Sequence, residues 1–203
     1  MKRRGPRLGL RYLVQKHRAS HLHYDFRLEW RGVLLSWAVP KGPSLNPAVK
    51  RLASPTEDHP LAYADFEGVI PSEEYGAGTV MLWDSGVWQA ETADVDEALE
   101  KGELKFTLLG QKLKGSWVLV RTRGLRGSGG RPSWLLIKHR DQFASEEDIT
   151  LAAPRSVLTQ RTLAEIARDG GGDVELAASG DPPGAGSVAP RHPRTTRRPR
   201  KVH

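Results

Sequence analysis

Cysteine is missing from this sequence. A disulfide framework, a cysteine nucleophile and a thiolate-ligated zinc site are therefore excluded, because each of them needs a thiol. Any metal ion would have to be held by histidine and carboxylate side chains. The chain also lacks an apolar run near the roughly 18 residues that a membrane helix needs. No apolar segment of a signal peptide follows its basic first residues, so we expect a cytoplasmic protein that makes no contact with a membrane.

Acidic residues are missing from both ends of the chain. Residues 1–16 and residues 191–203 each carry six Lys or Arg and no Asp or Glu. Residues 17–190 carry 19 basic against 24 acidic side chains, so the formal charge of +7 comes from the two ends. Basic arms beside a folded body favour binding to phosphate backbones, because each neutralised phosphate releases counterions. The alternative is that the arms only keep the protein soluble.

The length of 203 residues suits one domain with a sizeable core and short appendages. We assign residues 1–11 to a basic N-terminal arm, residues 12–168 to the folded domain and residues 169–203 to a disordered basic tail. The tail is rich in Gly, Pro and Arg, a composition that is typical of disorder. The protein is expected to be a monomer.

Residues 21–28 alternate strictly between apolar and polar side chains. The apolar set is Leu22, Tyr24, Phe26 and Leu28, and the polar set is His21, His23, Asp25 and Arg27. This period of two predicts a half-buried strand with one face of each kind. Arg31-Gly32 then predicts a turn into a second strand over residues 33–39, which ends at Pro40.

Further strands and a few short helices are predicted along the rest of the chain. The strands cover 79–83 and 87–91, on either side of a turn at Asp84-Ser85-Gly86, then 103–109, 115–123 and 134–140. The helices cover 48–52 after Asn46-Pro47, 95–101 between Asp94 and Gly102, a short segment from Ser145 with Asp148 closing a capping box, and 158–168. Many short strands separated by turns favour a mainly β fold, a small antiparallel β-barrel with a few short flanking helices. The six tryptophans are interpreted mostly as core residues.

The polar face of the first strand has the composition of a metal and anion site. Histidine and aspartate together suit Mn²⁺, Zn²⁺ or Fe²⁺, and arginine offers a planar fork for phosphate oxygens. His17 precedes the strand, and three of the seven histidines lie between positions 17 and 23. The alternative is that these residues form the solvent-exposed polar face of an ordinary antiparallel strand and bind nothing. Further donors that could converge on the same cavity follow in the loop: Lys41, Arg51, Glu57, His59 and Tyr63.

Two long motifs resemble the 3′-phosphoesterase module of bacterial DNA ligase D. They read QKHRASHLHYDFRLEWRGVLLSWAVPKGPS and KRLASPTEDHPLAYADFEGVIPSEEYGAG, and WLLIKHRD follows later in the same order. The resemblance covers roughly residues 12–140 and implies a small β-barrel with flanking helices. It also implies a Mn²⁺-dependent hydrolase, with Zn²⁺ or Co²⁺ as substitutes. Such an enzyme heals 3′ ends during non-homologous end joining by removing a terminal ribonucleoside and then the 3′-phosphate, which leaves a 3′-OH.

The resemblance also implies roles for individual residues. The metal ligands would be His17, His23 and Asp25, rather than His21. The phosphate would be bound by Gln15, Arg27, Lys41, Arg51 and His59. The catalytic set would be Arg27, Glu57, His59 and Tyr63, with His59 favoured over Tyr63 for protonating the leaving oxygen.

The resemblance finally implies partners and one departure from the family. The substrates would be the 3′ ends of DNA, or of RNA-ended DNA, in a primer-template. A separate ligase, polymerase or end-bridging protein would complete the repair, and the protein would be associated with the nucleoid. Family members carry an Arg-Asp-Phe and a Thr-Pro-Glu-Pro element, whereas the sixteen residues before His17 contain no acid. We therefore expect phosphate removal to be favoured over ribonucleoside removal. Because residues 169–203 leave no room for a polymerase or ligase module, we also expect a free-standing version of the module.

Three other functions fit parts of the sequence. An iron oxygenase with two histidines and one carboxylate could use His23, Asp25 and either His59 or His139. A metallo-β-lactamase-like nuclease begins with a similar HxHxD motif, but Phe26 replaces its last ligand. A non-catalytic adaptor could bind DNA ends through the same pocket and the basic arms. Activity with Fe²⁺ and a 2-oxo acid, or binding without turnover in Mn²⁺, would distinguish these alternatives.

Overall fold

The computed structural model describes residues 9–186, apart from the side chains of residues 125, 126 and 128. Its strands are β1 (Leu10–Arg18), β2 (Leu22–Trp30), β3 (Val33–Val39), β4 (Arg51–Pro55), β5 (His59–Pro60), β6 (Gly68–Ile70), β7 (Gly78–Ala90), β8 (Glu103–Gly110), β9 (Lys114–Arg126) and β10 (Pro132–Lys138). Its α-helices are α1 (Val95–Lys101), α2 (Ile149–Ala152), α3 (Leu163–Asp169) and α4 (Val174–Ala178), and 3₁₀ turns span Leu61–Asp65 and Ser128–Gly130. None of these helices is long and apolar enough to cross a membrane.

Eight of the strands close into an antiparallel barrel, as predicted. The order around the barrel is β1-β2-β3-β4-β10-β9-β8-β7, and β7 pairs again with β1. The short strands β5 and β6 lie outside this ring, paired with β3 and β7. Closure leaves no free edge in the ring, which removes the usual risk of edge-to-edge association.

The barrel interior is filled by large apolar side chains. Tyr24, Phe26 and Leu28 point inward from β2, as the alternation predicted. They pack with aromatic residues from the other strands, and Trp83, Trp88 and Trp117 are fully buried. The interpretation of most tryptophans as core residues is therefore confirmed.

The segment Asp84-Ser85-Gly86 is not a turn. It lies in the middle of β7, which is one continuous strand of 13 residues. The register with β1 shifts at this point, because Val14 pairs with Asp84 while Gln15 pairs with Leu82. Such a shift marks a β-bulge, which bends a strand without ending it. The prediction of two strands separated by a turn was wrong because a bulge and a turn favour the same small polar residues.

The helix boundaries follow their capping residues. Helix α1 has the predicted bounds, with the Asp94 side chain accepting from the Glu97 N–H and Gly102 at a φ of 83°. Asp148 is the N-cap of α2 rather than part of a helix that begins at Ser145. Helix α3 begins after its Thr162 capping box instead of at residue 158. No helix forms over 48–52, where residues from Arg51 onward pair in β4 instead.

Part of the segment predicted to be a disordered tail is ordered. Helix α4 buries Ala177 against the core. The Asp181 carboxylate accepts from the backbone N–H groups of Leu163 and Ala164, at 2.9 Å each, and so caps α3. Sequence composition missed this because a few apolar residues suffice when a neighbouring helix supplies the rest of the surface. The rest of the tail, residues 187–203, lies outside the described residues. So do residues 1–8 of the N-terminal arm, whose predicted end overlaps β1.

Candidate metal and phosphate site

The site is built on the outward face of β1 and β2. Antiparallel pairing places His17 opposite His23 and Gln15 opposite Asp25. Side chains of directly opposed residues lie on the same face of a sheet, so these four share one surface. The strand was predicted to be half-buried, but most of its polar face is also covered, with Asp25 7% and Arg27 3% exposed. Residues 59–66, which follow β4, form the segment that covers this face. Gln15 donates hydrogen bonds to the carbonyl groups of Tyr63 and Phe66 in this covering segment.

His17, His23 and Asp25 form a compact set of metal-ligand atoms. One atom from each lies within 4.8 Å of the others, and no second group of this kind occurs within residues 9–186. The Asp25 carboxylate is 3.7 Å from His17 Nδ1 and 3.5 Å from His23 Nε2. His17 Nε2 is buried and has no hydrogen-bond partner. A buried nitrogen without a partner is costly unless a ligand satisfies it, so the set fits a borderline divalent cation.

The electrostatics of this set favour an ionised carboxylate. Burial alone would raise the pKa of Asp25, but hydrogen bonds from His17 and His23 and the charge of Arg27 hold it well below its usual value. Burial alone would lower the pKa of His23, yet its hydrogen bond with Asp25 and the Asp25 charge raise it. A cation bound here would have to displace that proton, so its affinity would increase with pH.

The guanidinium group of Arg27 is held on several sides beside the metal ligands. Its Nε donates to Gln15 Oε1 at 2.8 Å and its Nη1 donates to Ser36 Oγ at 2.7 Å. Its Nη2 lies 3.4 Å from the Asp25 carboxylate. The group also lies 5.3 Å from the centre of the Tyr63 ring. Arg27 is therefore a buried, oriented cation, a suitable partner for a phosphate.

His59 and Tyr63 reach the same place from the covering segment. Their ring centres are 5.1 Å apart. His59 Nδ1 lies 3.0 Å from Arg27 Nη1 and 2.8 Å from the Glu57 carbonyl oxygen. Arginine can only donate and a carbonyl can only accept, so Nδ1 forms one of these hydrogen bonds at a time. Its tautomer therefore decides whether His59 is tied to Arg27 or to the backbone.

The two covering side chains have opposite pKa shifts. Burial and the charge of Arg27 lower the pKa of His59, and the nearby Glu57 partly offsets this. Burial raises the pKa of Tyr63, against the effect of Arg27. Near pH 7 these shifts favour a neutral imidazole at His59 and a protonated phenol at Tyr63.

A cavity of about 700 Å³ opens above these side chains. This volume lies in the range of about 300 to 1,000 Å³ that is common for ligand pockets. Seven of the ten residues singled out in the sequence line it: His17, His23, Asp25, Arg27, Glu57, His59 and Tyr63. The three others are Gln15, Lys41 and Arg51.

The structure does not place these three side chains at the cavity. Gln15 is fully buried, and its amide is used by Arg27 and by the carbonyl groups of Tyr63 and Phe66. Lys41 is exposed in the turn after β3. Ala38 pairs with both Asp25 and Ser54, so these three side chains lie on the same face of the sheet. Arg51 is three residues before Ser54 in β4, and side chains alternate along a strand, so Arg51 lies on the opposite face. Their predicted role in phosphate binding stays a prediction, and the contact that Gln15 makes in this structure is with Arg27, whose guanidinium it positions.

The family model described as the DNA Ligase D 3′-phosphoesterase domain matches residues 15–121, more than half of the chain. The chain belongs to this family. The resemblance stated from the motifs is thereby confirmed, and the matched residues include every predicted site residue.

Two relatives show how much of a DNA ligase D protein this domain represents. The multifunctional non-homologous end joining protein LigD of Pseudomonas aeruginosa is 57% identical over 157 residues, 76% of this chain and 18% of that protein. The multifunctional non-homologous end joining DNA repair protein LigD of Mycobacterium tuberculosis is 47% identical over 140 residues, 69% of this chain and 18% of the relative. The matched region thus spans less than a fifth of these relatives.

The geometry of this 3′-phosphoesterase domain removes two of the alternatives. His139 lies 2.8 Å from Ser116 Oγ and does not line the cavity, and His59 does not join the ligand group. The oxygenase ligand sets that were considered are therefore not assembled. The closed antiparallel barrel also differs from the layered α/β fold that a metallo-β-lactamase-like nuclease requires.

Sequence reasoning missed two residues of this candidate site. Ser36, which accepts from Arg27, lies in the apolar run VLLSWAV. A single hydroxyl in such a run was a usable signal, because buried polar groups need partners. Tyr75 lines the cavity from the loop between β6 and β7. Tyr75 lies within the second motif, but that motif gave no reason to place its loop beside His17.

Proposed function

We propose that this domain removes the phosphate from a DNA 3′ end and leaves a 3′-OH that a polymerase or ligase can use. The observation that carries the proposal is the adjacency of a metal-ligand triad, His17, His23 and Asp25, to the oriented guanidinium of Arg27 in one cavity. The end-joining names of its relatives support DNA ends as the substrate. Work at the nucleoid in the cytoplasm would follow from that substrate.

The metal in this proposal is Mn²⁺, with Zn²⁺ or Co²⁺ as substitutes. His17, His23 and Asp25 would hold it, since imidazole and carboxylate together suit such cations. When bound, it would supply Lewis-acid chemistry, neutralising charge on a phosphate oxygen and making a water molecule more acidic.

The protein's own residues would bind and orient the phosphate. Arg27 is already desolvated and fixed by Gln15 and Ser36, so little reorganisation is needed as negative charge develops on the phosphate oxygens. Tyr63 keeps its proton through the neutral range and would donate a hydrogen bond to one of those oxygens.

His59 would protonate the leaving 3′ oxygen. Its lowered pKa favours the neutral imidazole before a phosphate binds. A phosphate dianion bound at Arg27 would offset the arginine charge that lowers this pKa, so His59 would gain its proton when substrate binds. Glu57 acts in the same direction, because its charge raises the pKa of His59.

A primer-template with a labelled 3′-phosphate tests the proposal. With Mn²⁺ the primer should become extendable by a polymerase, and His23→Ala or Asp25→Asn should abolish this conversion. A matched primer that ends in a 3′-ribonucleotide would show whether ribonucleoside removal accompanies phosphate removal. Tight DNA binding without conversion in Mn²⁺ would instead support a non-catalytic end-binding adaptor. Full activity in both variants would rule out this site.

A further inference from the structure

The loop between β6 and β7 carries an aromatic side chain at the rim of the cavity. Tight turns shape this loop, with the Glu74 N–H donating to the Pro71 carbonyl at 3.0 Å and the Ala77 N–H to the Glu74 carbonyl at 3.2 Å. Tyr75 lies in this loop, lines the cavity and is fully exposed at 103%. The next most exposed large apolar residue of the described part of the chain, Leu151, is 59% exposed.

Glycine contacts fix this loop beside the metal ligands. Gly78 has a φ of 141°, and a Cβ there would collide with the carbonyl oxygen of Arg18 in β1. A Cβ on Gly76 would lie 3.8 Å from Cε1 of His17. Both glycines that follow Tyr75 therefore rest against the end of the strand that supplies His17. The packing of Gly76 and Gly78 therefore sets where the backbone of Tyr75 lies relative to the metal-ligand triad, while the ring of Tyr75 is exposed to solvent.

The surroundings of Tyr75 indicate which part of a substrate it would meet. Its ring and hydroxyl make no hydrogen bond or ring contact with another residue of the described part of the chain. Glu73 and Glu74 precede it, and their negative charges disfavour a phosphate at this point of the rim. An uncharged planar group suits the site better. Aromatic side chains at the edge of nucleic-acid sites commonly stack on bases, whatever the sequence.

We propose that Tyr75 stacks on the base of the nucleotide that carries the 3′-phosphate. This inference rests on the proposed function, because the triad and Arg27 fix where that phosphate would lie. A second cavity of about 570 Å³ lies along the same loop and shares Ala19, Ser20, Ile70 and Ala77 with the first. The two cavities are therefore adjacent, and Tyr75 lines the first of them together with Arg27 and the metal-ligand triad.

Kinetics with and without the base test the assignment. On a 3′-phosphate primer-template, Tyr75→Ala should lower kcat/KM by about 5- to 150-fold, mainly through KM. On the same primer ending in a 3′-phosphorylated abasic sugar, wild type and Tyr75→Ala should have equal kcat/KM. Tyr75→Phe and Tyr75→Trp keep a stacking face and should stay close to wild type on both primers. Phe143→Ala, at another exposed aromatic residue outside both cavities, is the matched control.

A binding measurement separates this inference from the proposed function. With EDTA present, a primer carrying 2-aminopurine at its 3′-phosphorylated end should lose fluorescence on binding wild type, and not on binding Tyr75→Ala. This readout needs no turnover, so an inactive wild type would reject the function and still leave stacking to be judged. An equal loss of kcat/KM on both primers, or unchanged quenching in Tyr75→Ala, would overturn the stacking role.

Discussion

Two buried polar clusters of this barrel differ in how completely their atoms are paired. Inside the barrel, the Asp84 carboxylate accepts from the Tyr12 hydroxyl and from the backbone N–H groups of Gln111, Lys112 and Leu113, at 2.8 to 3.0 Å. On the outer face, His17 keeps a buried nitrogen without a partner. The first cluster ties a bulge to the turn between β8 and β9. The second is incomplete without a ligand, which is the mark of a binding site.

The largest expected effect comes from the incomplete cluster. His17→Phe should lower kcat/KM by about 1,000-fold or more, because it removes a ligand of the metal on which the proposed chemistry depends. The free energy of unfolding without metal should stay within about 1 kcal/mol of wild type or rise, since an unpaired buried nitrogen disappears. Mn²⁺ should raise the melting temperature of wild type and not of the variant. A large loss of metal-free stability would show that His17 is structural.

The complete cluster should give the opposite pattern. Asp84→Asn replaces one acceptor oxygen by a donor, which leaves at least one of four donors unpaired in a buried place. We expect the unfolding free energy to fall by about 2 to 3 kcal/mol. Because Asp84 does not line the cavity, kcat/KM of the folded protein should change less than about twofold. Urea unfolding and steady-state kinetics on the same preparation measure the stability and the kcat/KM of this variant. A loss of activity without a loss of stability would contradict the structural role assigned to Asp84.

A smaller effect is expected from Ser36, which links the incomplete cluster to β3. Ser36→Ala removes one of the hydrogen bonds that orient Arg27. A hydrogen bond to a charged group is worth about 1.5 to 3 kcal/mol, so kcat should fall by roughly 10-fold or more. Ser54→Ala, on the neighbouring strand and outside the cavity, is the control. Equal behaviour of the two variants would show that Gln15 and Asp25 suffice to hold Arg27.

The smallest effect concerns the pH dependence of stability without metal. The folded pKa of Asp25 is depressed, so its stabilisation is present above the unfolded value near 3.8 and is lost as pH falls. Burial raises the pKa of Asp84, so folding is favoured as pH falls through that raised value. Below about pH 5, the urea midpoint of wild type should therefore fall relative to Asp25→Asn and rise relative to Asp84→Asn. If both differences in urea midpoint changed in the same direction as pH falls, the opposite roles assigned to Asp25 and Asp84 would be contradicted.

The same contrast explains what the sequence could predict. Alternation in β2 predicted which side chains share a face, and capping residues predicted α1, because both patterns are local. Burial of the polar face was not predictable, since it depends on contacts with residues 59–66, which are 32 to 51 positions away along the chain. Asp84 was placed in a turn for a related reason. Its role depends on backbone groups of residues 111–113 that only the fold brings near.

The site residues divide in a similar way. The motifs found every side chain that lines the cavity from β1 and β2, where register follows from the hairpin. Arg51 and Lys41 were grouped with them first as cationic donors of the loop and then by family resemblance. The side-chain alternation along β4 places Arg51 on the opposite face of the sheet, and Lys41 lies in the exposed turn after β3. Tyr75 was overlooked because a lone exposed tyrosine becomes informative only when its loop is known to pass His17.

The Asp181 cap has a practical consequence for making this domain in the laboratory. An expression clone that stops at residue 168, where the apolar periodicity ends, would remove the acceptor for the N–H groups of Leu163 and Ala164. It would also strip Ala177 from the apolar surface of α3. Such a protein should be prone to aggregation and proteolysis at its C-terminal end. The shortest piece suited to crystallisation or fusion therefore includes Asp181.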